Sequence, residues 1–180
     1  MTRLLFAAIG LALTAAGAAA QHDHRQSPYA DLKGREIKAL SPEMIAEYET
    51  GEGMGLALAA ELNRYPGPRH VLELATELDL APEQVLRVEA VRDTMQGRAV
   101  ALGGRIVELE RAMDAAFAGR TIDERELERA TAEIGRLQGE LRFVHLRAHL
   151  AMAEILTPPQ IDHYEMLRGY AQHEGGSGGG

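Results

Sequence analysis

The sequence predicts an all-α protein of four to five helices organised around one long antiparallel helical hairpin. Three observations carry that expectation. Between Leu127 and Gln160, apolar or small residues recur as two interleaved seven-residue series. These are Leu127, Ile134, Leu141, Ala148 and Ile155, and Ala130, Leu137, Val144 and Ala151. A helix packed lengthwise on another helix needs such a stripe. An earlier seam, Val88, Met95, Leu102, Leu109 and Ala116, with Val91, Ile106 and Met113 beside it, supplies the partner. Finally, Leu80-Ala81-Pro82-Glu83-Gln84 and Leu156-Thr157-Pro158-Pro159-Gln160 bracket the pair. Proline is tolerated only in the first turn of a helix, so each element stops one segment and starts the next.

Taken in order, the chain opens with Arg3 and an apolar run from Leu4 to Ala20 that ends Ala18-Ala19-Ala20. Residues 1–20 fit a secretory signal with an A-x-A cleavage site, the competing reading being an uncleaved anchor. Residues 21–40 are polar and lack periodicity until about Leu32, which predicts an exposed, mobile arm. Its Gln21-His22-Asp23-His24 start offers at most a weak metal site. A helical domain over 41–170 follows. Ser41-Pro42-Glu43 starts a helix carrying Met44, Ile45 and Tyr48. Gly51-Glu52-Gly53-Met54-Gly55 then reads as a turn or kink, since no strand precedes it and no Lys-Ser/Thr follows to make a phosphate loop.

Helical character resumes from Leu56 to Leu62 and stops at Tyr65-Pro66-Gly67-Pro68. From Arg69 a short helix carries Val71, Leu72, Leu74, Ala75 and Leu78, with His70 and Glu73 on one side at i,i+3. Ala81 stands where Thr157 stands in the second breaker, so the first long helix lacks a side-chain cap worth about 1 kcal/mol. That helix is expected to run to about Phe117, with Gly97, Gly103 and Gly104 marking a bend or a close helix contact. Gly119 to Asp123 turns the chain back, and a last helix runs from Pro158 to about Tyr170. Arms of roughly 50 Å are too long for an isolated hairpin to bury both faces. The N-terminal helices are expected to cover one side and a second copy another, giving a homodimer. Residues 171–180, ending Gly-Gly-Ser-Gly-Gly-Gly, read as a flexible tail or a fusion remnant.

Composition narrows the function. With 27 acidic against 19 basic residues the formal charge is −8, and one unit more negative without Arg3. Such a balance argues against a nucleic-acid partner. The absence of cysteine removes disulfides and thiolate chemistry from an exported chain. No segment beyond the leader is apolar enough to span a bilayer. The serines, Ser27, Ser41 and Ser177, lie outside the hairpin, and no Glu-x-x-His pair exists for a di-iron bundle. A non-enzymatic binding protein is expected.

Its chemistry centres on His145 and His149, at i,i+4 on one helix face and able to present two imidazoles to one ion. Met152 adds a thioether one turn on, which favours copper or nickel over magnesium or calcium. His70 and Glu73 are the candidate completing ligands, for a divalent transition metal such as zinc, copper, nickel or cobalt. The bland alternative leaves His145 and His149 flanking the core, half exposed, near Arg142 and Arg147. Met44, Met54, Met95, Met113, Met152 and Met166 could together form an adaptable surface for unfolded clients, or simply fill the core.

The repeated breaker resembles the paired L-T-x-x-Q motifs of the Spy/CpxP family of periplasmic proteins, with Ala81 replacing Thr in the first copy. That family includes helical chaperones and heavy-metal resistance and sensing proteins of the CnrX and ZraP type. The resemblance covers roughly residues 65–170. It implies a bent hairpin that dimerises into a curved cradle in the periplasm, with a role in envelope stress through metal ions, unfolded clients or both. In the metal-sensing relatives a late His-x-x-x-Met pair joins histidines and a Glu from earlier helices. Here the spacing is His-x-x-x-His-x-x-Met, and Ala153 stands where that methionine would fall. The alternative is a regulatory interaction protein docking on a sensor kinase or an anti-sigma factor.

Overall fold

A computed structural model describes residues 27–171. The leader, the His22-Asp23-His24 cluster and the glycine-rich tail from Gln172 lie outside the described residues. Six α-helices follow a 3-10 turn at Ala30–Gly34: α1 (Pro42–Thr50), α2 (Leu58–Glu61), α3 (Pro68–Glu73), α4 (Pro82–Gly119), α5 (Glu124–Ile155) and α6 (Pro158–Leu167). No strand occurs among the described residues. The fold is all-α, and α4 and α5 form its prominent packed pair.

The hairpin follows from the seams. At 38 and 32 residues, α4 and α5 span about 57 and 48 Å. Ile134, Leu137, Leu141, Val144, Ala148 and Ile155 are all buried, whereas Leu127 and Ala130, nearest the turn, are half-buried. The turn is fixed at both ends. Arg120 closes α4 in the left-handed conformation, and the Asp123 side chain accepts from the Glu126 N–H at 2.8 Å to cap α5.

The short N-terminal helices lie on this pair: α1 packs on α4, α2 on α5, and α3 on both. Ser41 caps α1, accepting from the Met44 N–H at 3.2 Å, and Gly51 ends the helix with φ 70°. Of Gly97, Gly103 and Gly104 in α4, Gly103 carries the close contact. A Cβ there would collide with the Tyr48 carbonyl, so only glycine lets α1 lie this close. Gly97 and Gly104 face open space, and α4 is unbroken across all three.

The structure corrects the expected mobile arm at its C-terminal end. Ile37 is completely buried and Leu40 nearly so, both in a cluster with Tyr48, Ala99, Ile106, Val107, Leu137 and Leu141. Lys38 anchors the segment through its N–H and Nζ, both donating to the Asp114 carboxylate at 3.0 and 3.1 Å. Two apolar side chains three residues apart were too sparse a signal in a polar stretch. A second cluster lies toward the other end of the hairpin: Val71, Leu78, Val88, Met152, Ile155, Leu156 and Tyr164.

The two breakers meet there. Gln84 Oε1 accepts from the Ala81 N–H at 3.0 Å, and Gln160 Oε1 accepts from the Thr157 N–H at 2.9 Å. Each glutamine also reaches across. Gln84 Nε2 donates to the Ile155 carbonyl at 2.9 Å, Gln160 Nε2 to the Leu78 carbonyl at 3.2 Å, and the two amides bond to each other. Thr157 does not cap α6 through its hydroxyl, which donates instead to Gln160 Oε1 at 3.1 Å. The penalty expected at Ala81 relative to Thr157 is therefore not a lost backbone cap. Glutamine does the same work at both helix starts.

Candidate functional site

Between the two apolar clusters a cavity of about 340 Å³ opens beside the first half of α4 and the last third of α5. Its walls are the Gly51–Gly55 turn, the start of α3, Met95 and Gln96 of α4, and His145 and His149 of α5, with Glu61, Arg168 and Tyr170 also lining it. The seven-residue periodicity of α5 places Leu141 in one cluster and Ile155 in the other. The two histidines fall on the seam between them.

His145 is 3 % exposed and His149 8 %, so neither is the half-exposed flanking residue of the bland expectation. His149 Nδ1 lies 2.7 Å from the Tyr65 carbonyl, which can only accept, so that nitrogen carries the proton. Nε2 is then the ring nitrogen left for another partner. His145 Nε2 is buried with no hydrogen-bond partner among the described residues. Burial first, and His149 second, hold the His145 pKa below its ordinary value, and the Glu52 carboxylate opposes them. A neutral imidazole at neutral pH is the form that binds metal.

Glu61 is the residue the sequence did not single out. It is 7 % exposed. Its Oε1 accepts from the Tyr164 hydroxyl at 2.6 Å and the Tyr170 hydroxyl at 3.2 Å, with Arg168 Nε at 3.7 Å. Its Oε2 is buried without a hydrogen bond and stands 3.6 Å from His149 Nδ1. Burial, with the Glu61 carboxylate as acceptor, pushes the Tyr164 hydroxyl far above the usual phenol range. Gly67 makes the packing possible. A Cβ there would come within 3.1 Å of His149 Cε1, 3.3 Å of Glu61 Oε2 and 3.4 Å of His149 Nε2.

The other expected ligands separate. His70 lines the same cavity, but its Nδ1 pairs with Glu73 Oε2 at 2.8 Å on a solvent-facing turn of α3. Hydrogen bonding to His70 holds the Glu73 pKa low. Met152 is 0 % exposed, packs in the second apolar cluster and does not line the cavity. One residue of register takes it off the histidine face, as the mismatch with His-x-x-x-Met implied. Among the described residues, no three His, Cys, Asp or Glu side chains are gathered closely enough to hold an ion as they stand. The structure thus brings together His145, His149 and His70 around one cavity, adds Glu61, and leaves Met152 in the core.

Glu61 was hard to find because its partners are distant in sequence and share no periodicity with it. The glycine between Pro66 and Pro68 was the available signal, since it marks a place where backbone must approach something closely. Comparison with protein-family models, curated proteins and solved structures gives no match for this chain.

Proposed function

We propose that this chain is an exported, non-enzymatic envelope-stress protein that takes a divalent transition metal ion in the cavity between α3 and α5. One observation carries the reading. Two buried imidazoles one helical turn apart and a buried carboxylate line the same cavity, and His145 Nε2 and Glu61 Oε2 have no hydrogen-bond partner. An unpaired buried polar atom costs about 1–3 kcal/mol, and a cation would relieve both. His145, His149 and Glu61 would hold the ion, with His70 at the rim. Nitrogen and oxygen donors suit zinc, copper, nickel or cobalt, and the loss of Met152 removes the reason to favour copper or nickel among them. Closing on an ion requires the side chains to turn inward, because they are not gathered as they stand.

Export rests on the leader sequence, and among the described residues no helix is long and apolar enough to cross a membrane. A homodimer is the expected assembly, supported by Phe143 and Leu150, seven residues apart and both more than half exposed on α5. Light scattering at tens of micromolar should give twice the chain mass, and a monomer would contradict it. Client binding has less support, because Met152 is core and only Met166 is largely exposed among the methionines in the described helices. Calorimetric titration of the mature protein with Zn²⁺, Cu²⁺, Ni²⁺ and Co²⁺ tests the function. Stoichiometric uptake of at least one is expected, and none with any of the four would overturn it.

A further inference from the structure

We infer that the cavity admits a small organic zwitterion, a free α-amino acid with an apolar side chain, whose charged end pairs with Arg168 and Glu61. The inference does not rest on the metal reading, since an ion and a zwitterion would contend for the same carboxylate. Three arginines line the cavity, Arg69, Arg92 and Arg168, against two glutamates, Glu52 and Glu61. Two of the arginines are already engaged. Arg69 NH1 donates to Glu52 Oε2 at 3.1 Å, and its Nε stands 3.5 Å from Glu73 Oε1. Arg92 donates through Nε and an NH2 group to Asp93 Oδ1 at 2.9 and 2.6 Å. Arg168 differs. One of its NH2 groups donates to the Tyr170 hydroxyl at 3.0 Å, but its Nε is buried without a hydrogen bond, 3.7 Å from Glu61 Oε1. Glu61 is also half used: Oε1 accepts from the Tyr164 and Tyr170 hydroxyls, while Oε2 is buried without a hydrogen bond.

An unpaired donor and an unpaired acceptor, both on charged groups, define the occupant. A simple anion would answer Arg168 and be repelled by Glu61. A simple cation would answer Glu61 and face three arginines. An uncharged apolar molecule would leave both atoms buried and unpaired. A zwitterion answers both, its carboxylate accepting from Arg168 Nε and its ammonium donating to Glu61 Oε2. Both side chains line the cavity, so a rotation of either brings its free atom onto an occupant. The guanidinium and the carboxylate are themselves neighbours at 3.7 Å, so the occupant's two charges must also be close, as they are across one α-carbon. A peptide bond at either end would remove one of them, which selects the free amino acid. The remaining wall includes Met54, Ala57, Leu58 and Met95, and methionine adapts to apolar groups of varied shape. A volume of about 340 Å³ is at the small end of the range that holds small molecules.

The test is calorimetry on the full mature chain with a chelator present, so that no metal takes part. The probes are L-leucine, 4-methylpentanoate, which lacks the ammonium, and isopentylamine, which lacks the carboxylate. One leucine per chain is expected, with each analogue bound at least about tenfold more weakly, the scale of one lost charged hydrogen bond. Arg168→Gln should weaken leucine about tenfold and leave isopentylamine unchanged, and Glu61→Gln should weaken leucine and leave 4-methylpentanoate unchanged. The analogues test the wild-type chain directly, so the outcome does not depend on either variant folding. No binding of L-leucine, L-methionine or L-phenylalanine at millimolar concentration, or either analogue bound as tightly as leucine, would overturn the inference and leave the metal titration to stand on its own. Unchanged leucine affinity in folded Arg168→Gln would overturn it as well.

Discussion

The two halves of the hairpin bury similar apolar side chains and differ in what they bury beside them. Toward the α4–α5 turn, Ile37, Leu40, Tyr48, Ile106 and Leu141 pack around a glycine contact, and the chain closes tightly. Toward the helix starts, Val71, Val88, Met152 and Tyr164 pack as well, but Glu61, His145, His149 and Glu165 are buried among or beside them. Polar burial of that kind weakens a fold unless its groups are paired, and several atoms here are not. Apart from Glu110, buried on α4 toward the turn, the first half is accounted for by packing. The second carries groups that packing does not explain, which is where a binding role is expected.

The largest test of that contrast is Gly103→Ala. A side chain there meets the Tyr48 backbone, which cannot move without lifting α1 off α4. A loss above about 3 kcal/mol is expected in urea unfolding, and a loss within 0.5 kcal/mol or so would show that the two helices do not approach this closely. Met152→Ala comes next, at about 3 kcal/mol, the scale of a core truncation. Met152→Leu keeps the volume and should cost less than about 1.5 kcal/mol with metal affinity unchanged. If Met152→Leu weakened metal binding as severely as loss of a histidine, the thioether would belong to the site after all.

A smaller effect separates the halves by pH. Burial holds the His145 pKa below 6.5, so the unfolded chain takes up its proton first as pH falls. The contribution is fully present above about 6.5 and is lost as pH drops from there toward the lowered folded value. Buried Glu110 and Glu165 have raised values and act in the opposite sense, in the carboxylate range. Comparing the wild-type chain with His145→Leu isolates the histidine. The variant should lose less stability between pH 6.5 and 5, by an amount under about 1 kcal/mol, and identical slopes would place His145 in water.

Much of the fold was legible because its signals are periodic or local. The stripe on α5, the proline starts of α4 and α6, the Ser41 cap and the close contact in α4 all follow from short spacings in the chain. The burial of Ile37 was not legible, since two apolar residues in a polar run carry no period. Half of the site was readable for the same reason. His145 and His149 are one turn apart on one helix and needed no tertiary knowledge. Glu61, Tyr164, Arg168 and Tyr170 meet only because α2 and α6 both pack near the end of α5, and no local spacing encodes that meeting. Met152 was misjudged by position alone: i,i+3 from His149 is near the histidine face, yet the thioether turns into the core.

The most direct test of the whole account is one titration of the metal that binds the wild-type chain, repeated on the His145→Ala/His149→Ala double variant. The account expects stoichiometric binding by the wild type, weakening as pH falls through about 6.5, and its loss in the variant. Both histidines are buried, so the variant should also unfold at lower urea, by roughly 2 kcal/mol, and the titration must be run where it is still folded. Wild-type affinity in the folded double variant would contradict the site.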